Sequence, residues 1–400
     1  MDMKDVVIVS AVRTGLGKFN GMLAKFDPIQ LGVMVAKEAI KRAGISPDVV
    51  EETIFGHVLQ GGWGQNPARQ VAHYAGIPDS TASLTVNKVC GSSLKAVMLG
   101  AQGIMLGDYD CILCGGMESM TNAPYFTREF RMGNKMSVDI NRGPVMIDMM
   151  VNDGLWDKYE NYHMGNTGEI VAEKYGVTRE MQDEYAYNSH RKAAEATKEG
   201  RFDDEIMPIE IPQRKADPII FKHDEGVIAE PSIEKMAKLR SVFKNDGTVT
   251  AGNASQISDG AAAVILMSAE KAQALGIKPM AKITGYATGG VEPKMVMIAP
   301  VEAMKNLEKK TGMSRHDFDL IELNEAFSSA AVAVTKELGL DLSKVNVNGG
   351  AVAMGHPIGC SGTRVLVTLL YALKHRNLKK GAAMLCLGGG NAVITSIEML

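Results

Sequence analysis

The chain has 400 residues, 46% of them hydrophobic, and a formal net charge of −3. That length exceeds one ordinary core, so two or three lobes are expected, and the charge balance gives no electrostatic case for nucleic acid or an anionic membrane surface. Five scattered cysteines, an odd number, argue for a reducing compartment rather than a disulfide framework.

In chain order, Val6-Val7-Ile8-Val9 reads as a strand with no apolar leader or arginine-rich presequence ahead of it. The apolar runs Ala261 to Met267 and Val365 to Leu370 are too short to span a bilayer. A soluble cytoplasmic protein is expected. A helical pattern from Pro28 to Ala43 leads through Gly44-Ile45-Ser46-Pro47 to the strand-like Thr53-Ile54-Phe55-Gly56. Next comes Val86-Asn87-Lys88-Val89-Cys90-Gly91-Ser92-Ser93, after which Leu94, Val97, Met98 and Ala101 fall at helical spacing. This puts Cys90 at a strand-to-helix turn, where the free N–H groups and dipole of the following helix would lower a thiol pKa. The plain alternative is a packed, inert cysteine. Asp110 to Met117 is an apolar strand ending in glycines; Cys111 and Cys114 within it have CxxC spacing but no second ligand pair, which disfavours zinc.

From Thr121 to about Gly247 the composition shifts toward Met, Asn, Asp and Lys, with helical patterns such as Arg179 to Thr197, and reads as an insertion over the first lobe. Strand-like Thr248-Val249-Thr250 then meets the turn Ala251-Gly252-Asn253-Ala254-Ser255 and the buried-looking run to Met267. The second half echoes the first. Pro300 to Lys310, Gly312-Met313-Ser314-Arg315 and Leu320 to Leu323 repeat the early helix, turn and strand. Ser361 to His375 matches Ser92 to Leu106, and Ala383 to Gly390 matches the strand from Asp110. Two related α/β lobes follow.

Asn324-Glu325-Ala326-Phe327, Gly355-His356-Pro357-Ile358-Gly359-Cys360-Ser361-Gly362 and Cys386-Leu387-Gly388-Gly389-Gly390 all sit at strand ends or helix starts, where open α/β sheets carry reactive groups. A thiolate is both nucleophile and leaving group, which suits acyl transfer between thioesters. Cys90 is the candidate nucleophile. His356 is the candidate proton acceptor, with a packing histidine as its alternative.

These motifs, with Gly115-Gly116-Met117-Glu118-Ser119-Met120 and Thr250-Ala251-Gly252-Asn253-Ala254-Ser255 between them, resemble the thiolase family in order and spacing over nearly the whole chain. The resemblance implies two βαβαβαββ lobes in a layered α-β-α-β-α arrangement. The lobes would be 1–120 plus 248–272 and 273–400, with an inserted loop domain at 121–247. It implies assembly as a dimer or dimer of dimers, CoA thioesters as substrates, no tightly bound cofactor, and no metal. It further implies that Cys386 shuttles the substrate α-proton. One oxyanion site would come from His356 and a water held by Asn324, the other from the N–H groups of Cys90 and Gly388. Strand-end capping is the alternative for Asn324, and a tight turn for Gly388.

By the same resemblance, His163, Met164, Ser255 and Phe327 lie along the pantetheine and acyl group, the His-Met pair being typical of short-chain members. A solvated loop residue and simple packing are the alternatives for His163 and Met164. The chain departs from the family in four places. Ile228 stands where an arginine usually meets the nucleotide, passing that contact to Lys235, Lys238 or Arg240. Gln256 replaces a glycine, and Met297-Ile298-Ala299 replaces a glycine-rich loop, both near the expected acyl pocket. Cys360 stands for a usual alanine, raising the idea of an oxidative link among Cys90, Cys360 and Cys386.

The implied activity is condensation of two acetyl-CoA to acetoacetyl-CoA and the reverse thiolysis. A degradative thiolase for longer chains is the near alternative, and a non-catalytic acyl or lipid carrier the distant one. A ketoacyl-carrier-protein synthase is disfavoured by Cys386, and a carrier by the joint presence of Cys90, His356 and Cys386.

Overall fold

The computed structural model describes residues 3–133, 143–214 and 216–400. Residues 1–2 of the expected first lobe, and 134–142 and 215 of the expected insertion, lie outside the described residues.

The main strands are β1 (Val6–Thr14), β2 (Glu52–Gly56), β3 (Ala82–Val86), β4 (Cys111–Ser119), β5 (Ser258–Ser268), β6 (Ala281–Gly290), β7 (Leu320–Leu323), β8 (Lys380–Leu387) and β9 (Asn391–Met399). The main helices are α1 (Pro28–Ala43), α2 (Pro67–Ala75), α3 (Ser92–Leu106), α4 (Gly165–Tyr175), α5 (Arg179–Lys198), α6 (Ala299–Thr311), α7 (Ser328–Leu338) and α8 (Ser361–Arg376). Local chemistry explains their ends. Asp27 and Gln30 form a reciprocal capping box at the start of α1, and Gly44 ends it in the left-handed region at φ 67°.

The strands run in the order β3-β2-β4-β5-β1 in the first half and β7-β8-β9-β6 in the second. Among the described residues the strands of the two halves pair at Val7↔Lys282 and Ile8↔Ala281. The counterpart of β3 in the second half is a single parallel bridge, Ile321↔Val345. It goes no further because Asn346 turns left-handed at φ 46°, and its side-chain amide takes over the pairing, accepting from Leu323 N and donating to Leu323 O, both at 2.8 Å.

Strand alternation sorts the core into layers. Ile112, Cys114, Val264 and Leu266 of the first half, with Leu385, Leu387 and Val393 of the second, face an inner layer filled by α3 and α8. Cys111, Leu113, Ile265 and Met267 face outward onto α1 and α2, and Met384, Cys386 and Ile394 onto α6 and α7. This is the α-β-α-β-α arrangement of a thiolase fold. The same alternation separates Cys111 from Cys114 on opposite sheet faces, so the CxxC spacing cannot gather two thiolates around one ion.

Helix α8 is buried continuously from Ser361 to Leu373, as the middle of a five-layer stack requires. Gly362 permits its start to approach the backbone of Leu94, and Ser93 Oγ donates to Cys360 O at 2.9 Å while accepting from Thr363 N at 2.8 Å. The two inner helices therefore begin side by side, one behind Cys90 and the other behind His356. Among the described residues one segment, Val89–Leu106, is long and apolar enough to cross a membrane by length and composition alone; it is mostly α3, packed between the two sheet halves.

One predicted strand is absent. Thr248-Val249-Thr250 forms only an isolated bridge from Thr250 to Ser241. The buried carboxylate of Glu169 accepts from Thr248 N and Val249 N at 2.8 Å each, supplying the partner a neighbouring strand would have given.

Candidate active site

Cys90 follows Val89, a β-branched residue held at φ 47°, a conformation that such side chains rarely adopt and that marks a locally strained turn. Asn87 braces the turn, its Oδ1 accepting from Val89 N at 3.0 Å. Helix α3 begins immediately afterwards with no side-chain cap. On the other side, Gly355 adopts φ 123° against Ser258, and His356 N donates to Gln256 O at 3.0 Å. Glu118, fully buried, accepts from Val58 N, Leu59 N and Gly359 N at 3.1, 3.2 and 2.9 Å. A single carboxylate thus ties the loop carrying His356 to the first lobe.

These elements enclose a cavity of about 60 Å³. Cys90, His356, Cys386 and Gly388 line it, as do His163, Met164, Ser255 and Phe327. Asn324 stands behind His356, with Nδ2 3.4 Å from its Nε2. Lys235 is exposed on a short helix and does not line the cavity. Cys360 is fully buried in the inner core and does not line it either, so it stands apart from the two cavity thiols; all five cysteines are free.

Three further residues complete the site. Met297 Sδ lies 3.8 Å from Cys386 Sγ, making the altered loop before Pro300 a wall of the cavity. Phe243, in an irregular segment, stacks on His163 at 4.7 Å between centroids and meets Phe327 edge-on at 6.2 Å. Ser361 Oγ lies 2.6 Å from His356 Nδ1 and donates to Pro357 O at 3.0 Å. Pro357 O also receives Cys360 N and Ser361 N at 2.9 Å each, so the hydroxyl can serve either neighbour, and the groups around both ring nitrogens set the tautomer of His356.

The electrostatics correct one expectation. Burial pushes the Cys90 thiol up to about 12, with Cys386 adding to the rise. The N–H groups of Gly388 and of Cys90 itself act the other way but do not offset desolvation. Burial likewise pushes Cys386 up to about 12. Burial, then the nearby Arg364 charge, pushes His356 down to about 3. Helix position alone therefore does not yield a resting thiolate. Burial thus favours the neutral forms of both thiols and of the imidazole.

Family models for "Thiolase, N-terminal domain" and "Thiolase, C-terminal domain" match residues 6–270 and 277–399. The chain belongs to the thiolase family. Among the relatives of this thiolase, an acetyl-CoA acetyltransferase from Cupriavidus necator is 52% identical over 396 residues, 99% of this chain and 100% of that one. Another from Chromobacterium violaceum is 51% identical, covering 98% of this chain and 99% of its own. The crystal structure of the Bacillus anthracis acetyl-CoA acetyltransferase superposes with a TM-score of 0.96 at 43% identity, over 100% of both chains.

Proposed function

We propose that this thiolase is an acetyl-CoA C-acetyltransferase, joining two acetyl-CoA into acetoacetyl-CoA plus CoA and running the reverse thiolysis. The observation that carries the reading is the convergence of two thiols and one imidazole on a cavity of about 60 Å³. By the same measure one water needs roughly 10–15 Å³, so the space holds a short acyl group of about four to six heavy atoms. The names of the relatives at about half identity support it.

In condensation, His356 Nε2 takes the Cys90 proton as the sulfur attacks the thioester carbonyl, so charge separates only when the substrate is in place. CoA leaves with that proton, and acetyl-Cys90 remains. The Cys386 proton then passes to the vacant His356 Nε2, and the resulting thiolate removes an α-proton from the second acetyl-CoA. The enolate attacks the acetyl carbonyl, the bond to Cys90 breaks, acetoacetyl-CoA forms, and His356 returns its proton to the departing Cys90 thiolate. The N–H groups of Cys90 and Gly388 would receive one thioester oxygen, and His356 with Asn324 the other.

His163 and Met164 of the inserted segment, with Ser255 and Phe327, would hold pantetheine and acyl group, and Lys235 would stand farther out, toward the nucleotide. We place the enzyme in the cytoplasm as a homo-oligomer, a dimer or dimer of dimers. The outermost strand β3, with Leu84 44% exposed, supports pairing with a second copy, which light scattering would test.

The deciding experiment is steady-state thiolysis of acetoacetyl-CoA beside a longer 3-ketoacyl-CoA, with Cys90→Ala as control. Strong preference for acetoacetyl-CoA is expected. Preference for the longer chain would replace the reading with a degradative thiolase, and absence of Cys90-dependent turnover with either would replace it with a carrier.

A further inference from the structure

Arg364 projects from the first turn of α8 and is fully buried. Its Nη2 lies 3.5 Å from Asn324 Oδ1, while its Nε and Nη1 meet no hydrogen-bond partner among the described residues. Arginine can only donate. Asn324 must therefore turn its oxygen to Arg364, which sends its NH2 group toward His356 Nε2 at 3.4 Å. An N–H donor there excludes a proton on Nε2, so the imidazole proton sits on Nδ1 and passes to Ser361 Oγ at 2.6 Å, whose own proton goes to Pro357 O at 3.0 Å. Every bond in this chain points the same way; Arg364 at its head can only donate, whereas the Ser361 hydroxyl at its foot can turn, because Pro357 O is also met by Cys360 N and Ser361 N at 2.9 Å.

We propose that Arg364, which lines no part of the cavity, is a positioning residue that fixes the direction of the Asn324–His356–Ser361 chain and so keeps the lone pair of His356 on Nε2, facing the reaction. Without it the Asn324 amide is free to turn over. Its oxygen would then face Nε2 and draw the proton there, leaving Nδ1 to accept from Ser361, and the base would be lost in that fraction of molecules. Buried carboxylates surround the guanidinium: Glu322 lies near it, and Glu205 and Asp224 are both engaged by Arg13 at 2.6 Å. Arg364→Met alone would leave Glu322 without its cation. The informative variant is therefore Arg364→Met with Glu322→Gln, which removes both partners together, alongside Arg364→Lys, which keeps a donor.

The inference rests on His356 being the base proposed above. The experiment is nitrogen-15 NMR of protein labelled in histidine, with His356→Gln to assign the signal, and kcat and KM for acetoacetyl-CoA thiolysis beside it. Wild type and Arg364→Lys are expected to show His356 protonated on Nδ1. The Met/Gln double variant is expected to shift toward Nε2 protonation and to lose about tenfold in kcat, a part of what removing an oxyanion donor costs, with KM within about twofold. An unchanged tautomer in the double variant overturns the proposal. Should the double variant not fold, Arg364→Lys decides: retention of the Nδ1 proton with near wild-type kcat supports a donor-based role, and loss of the tautomer despite the retained donor overturns it. Failure of the underlying reading looks different, as a wild-type enzyme without Cys90-dependent turnover but with its tautomer intact.

Discussion

Met297→Ala should widen the acyl cavity in a measurable way. The side chain is 2% exposed, its sulfur sits 3.8 Å from Cys386, and the cavity it borders has room for about 60 Å³. Truncation removes the three heavy atoms beyond Cβ, opening space for roughly two more methylenes, the difference between acetoacetyl and 3-ketohexanoyl substrates. At ~0.8 kcal/mol per buried methylene the gain is ~1.6 kcal/mol, or about fifteenfold in the ratio of kcat/KM for the longer substrate over the shorter. Stability should fall by about 2 kcal/mol, the lower end for such truncations, because the new space opens onto an existing cavity rather than a sealed void. The assay is initial-rate thiolysis of both substrates by wild type and variant, with the thermal midpoint recorded. A folded variant whose substrate ratio stays within about twofold of wild type would refute the assignment of Met297 as the wall that limits chain length.

Cys90→Ala should abolish acyl-enzyme formation seen by mass spectrometry, whereas Cys386→Ala should still acylate but lose condensation by about 10²–10⁴-fold; normal turnover in either removes that residue from its role. Ser361→Ala strands a buried Nδ1–H, so both stability, by ~1–3 kcal/mol in denaturant titration, and kcat should drop, and an unchanged pair of values would count against the relay. The depressed His356 pKa predicts acid sensitivity. A group whose folded pKa, about 3, lies below its unfolded value of about 6.5 contributes stability above the unfolded value, and loses it as pH falls toward 3. His356→Gln should flatten that stretch of the stability curve, and an equally steep curve would show that burial does not depress this histidine. The raised Cys90 pKa, about 12, predicts no plateau in its alkylation rate up to pH 10; a plateau near 8 would mean an exposed, ordinary thiol.

Much of the fold was legible in the linear pattern. The predicted boundaries of α1 coincide with the observed Pro28–Ala43, because a capping box and a left-handed glycine are purely local devices. The echo of Ser92 to Leu106 in Ser361 to His375 became α3 and α8, since a repeated apolar pattern repeats its packing. The absent strand at Thr248 was illegible because its partner is a side chain, Glu169, far away in sequence. Phe243, Ser361 and Arg364 escaped notice for the same reason: each acts through a contact that no spacing announces.

The sequence by itself determined the lobed α/β architecture, the thiolase kinship and the short set of reactive side chains, because periodicity, turn chemistry and motif order are local properties. Only the tertiary structure decided the protonation of those side chains and the direction of the bonds that hold them. Burial outweighs helix position at Cys90, and an arginine from α8 reaches Asn324 behind His356. Desolvation and hydrogen-bond direction depend on every group that surrounds an atom, and folding brings those groups together from distant parts of the chain.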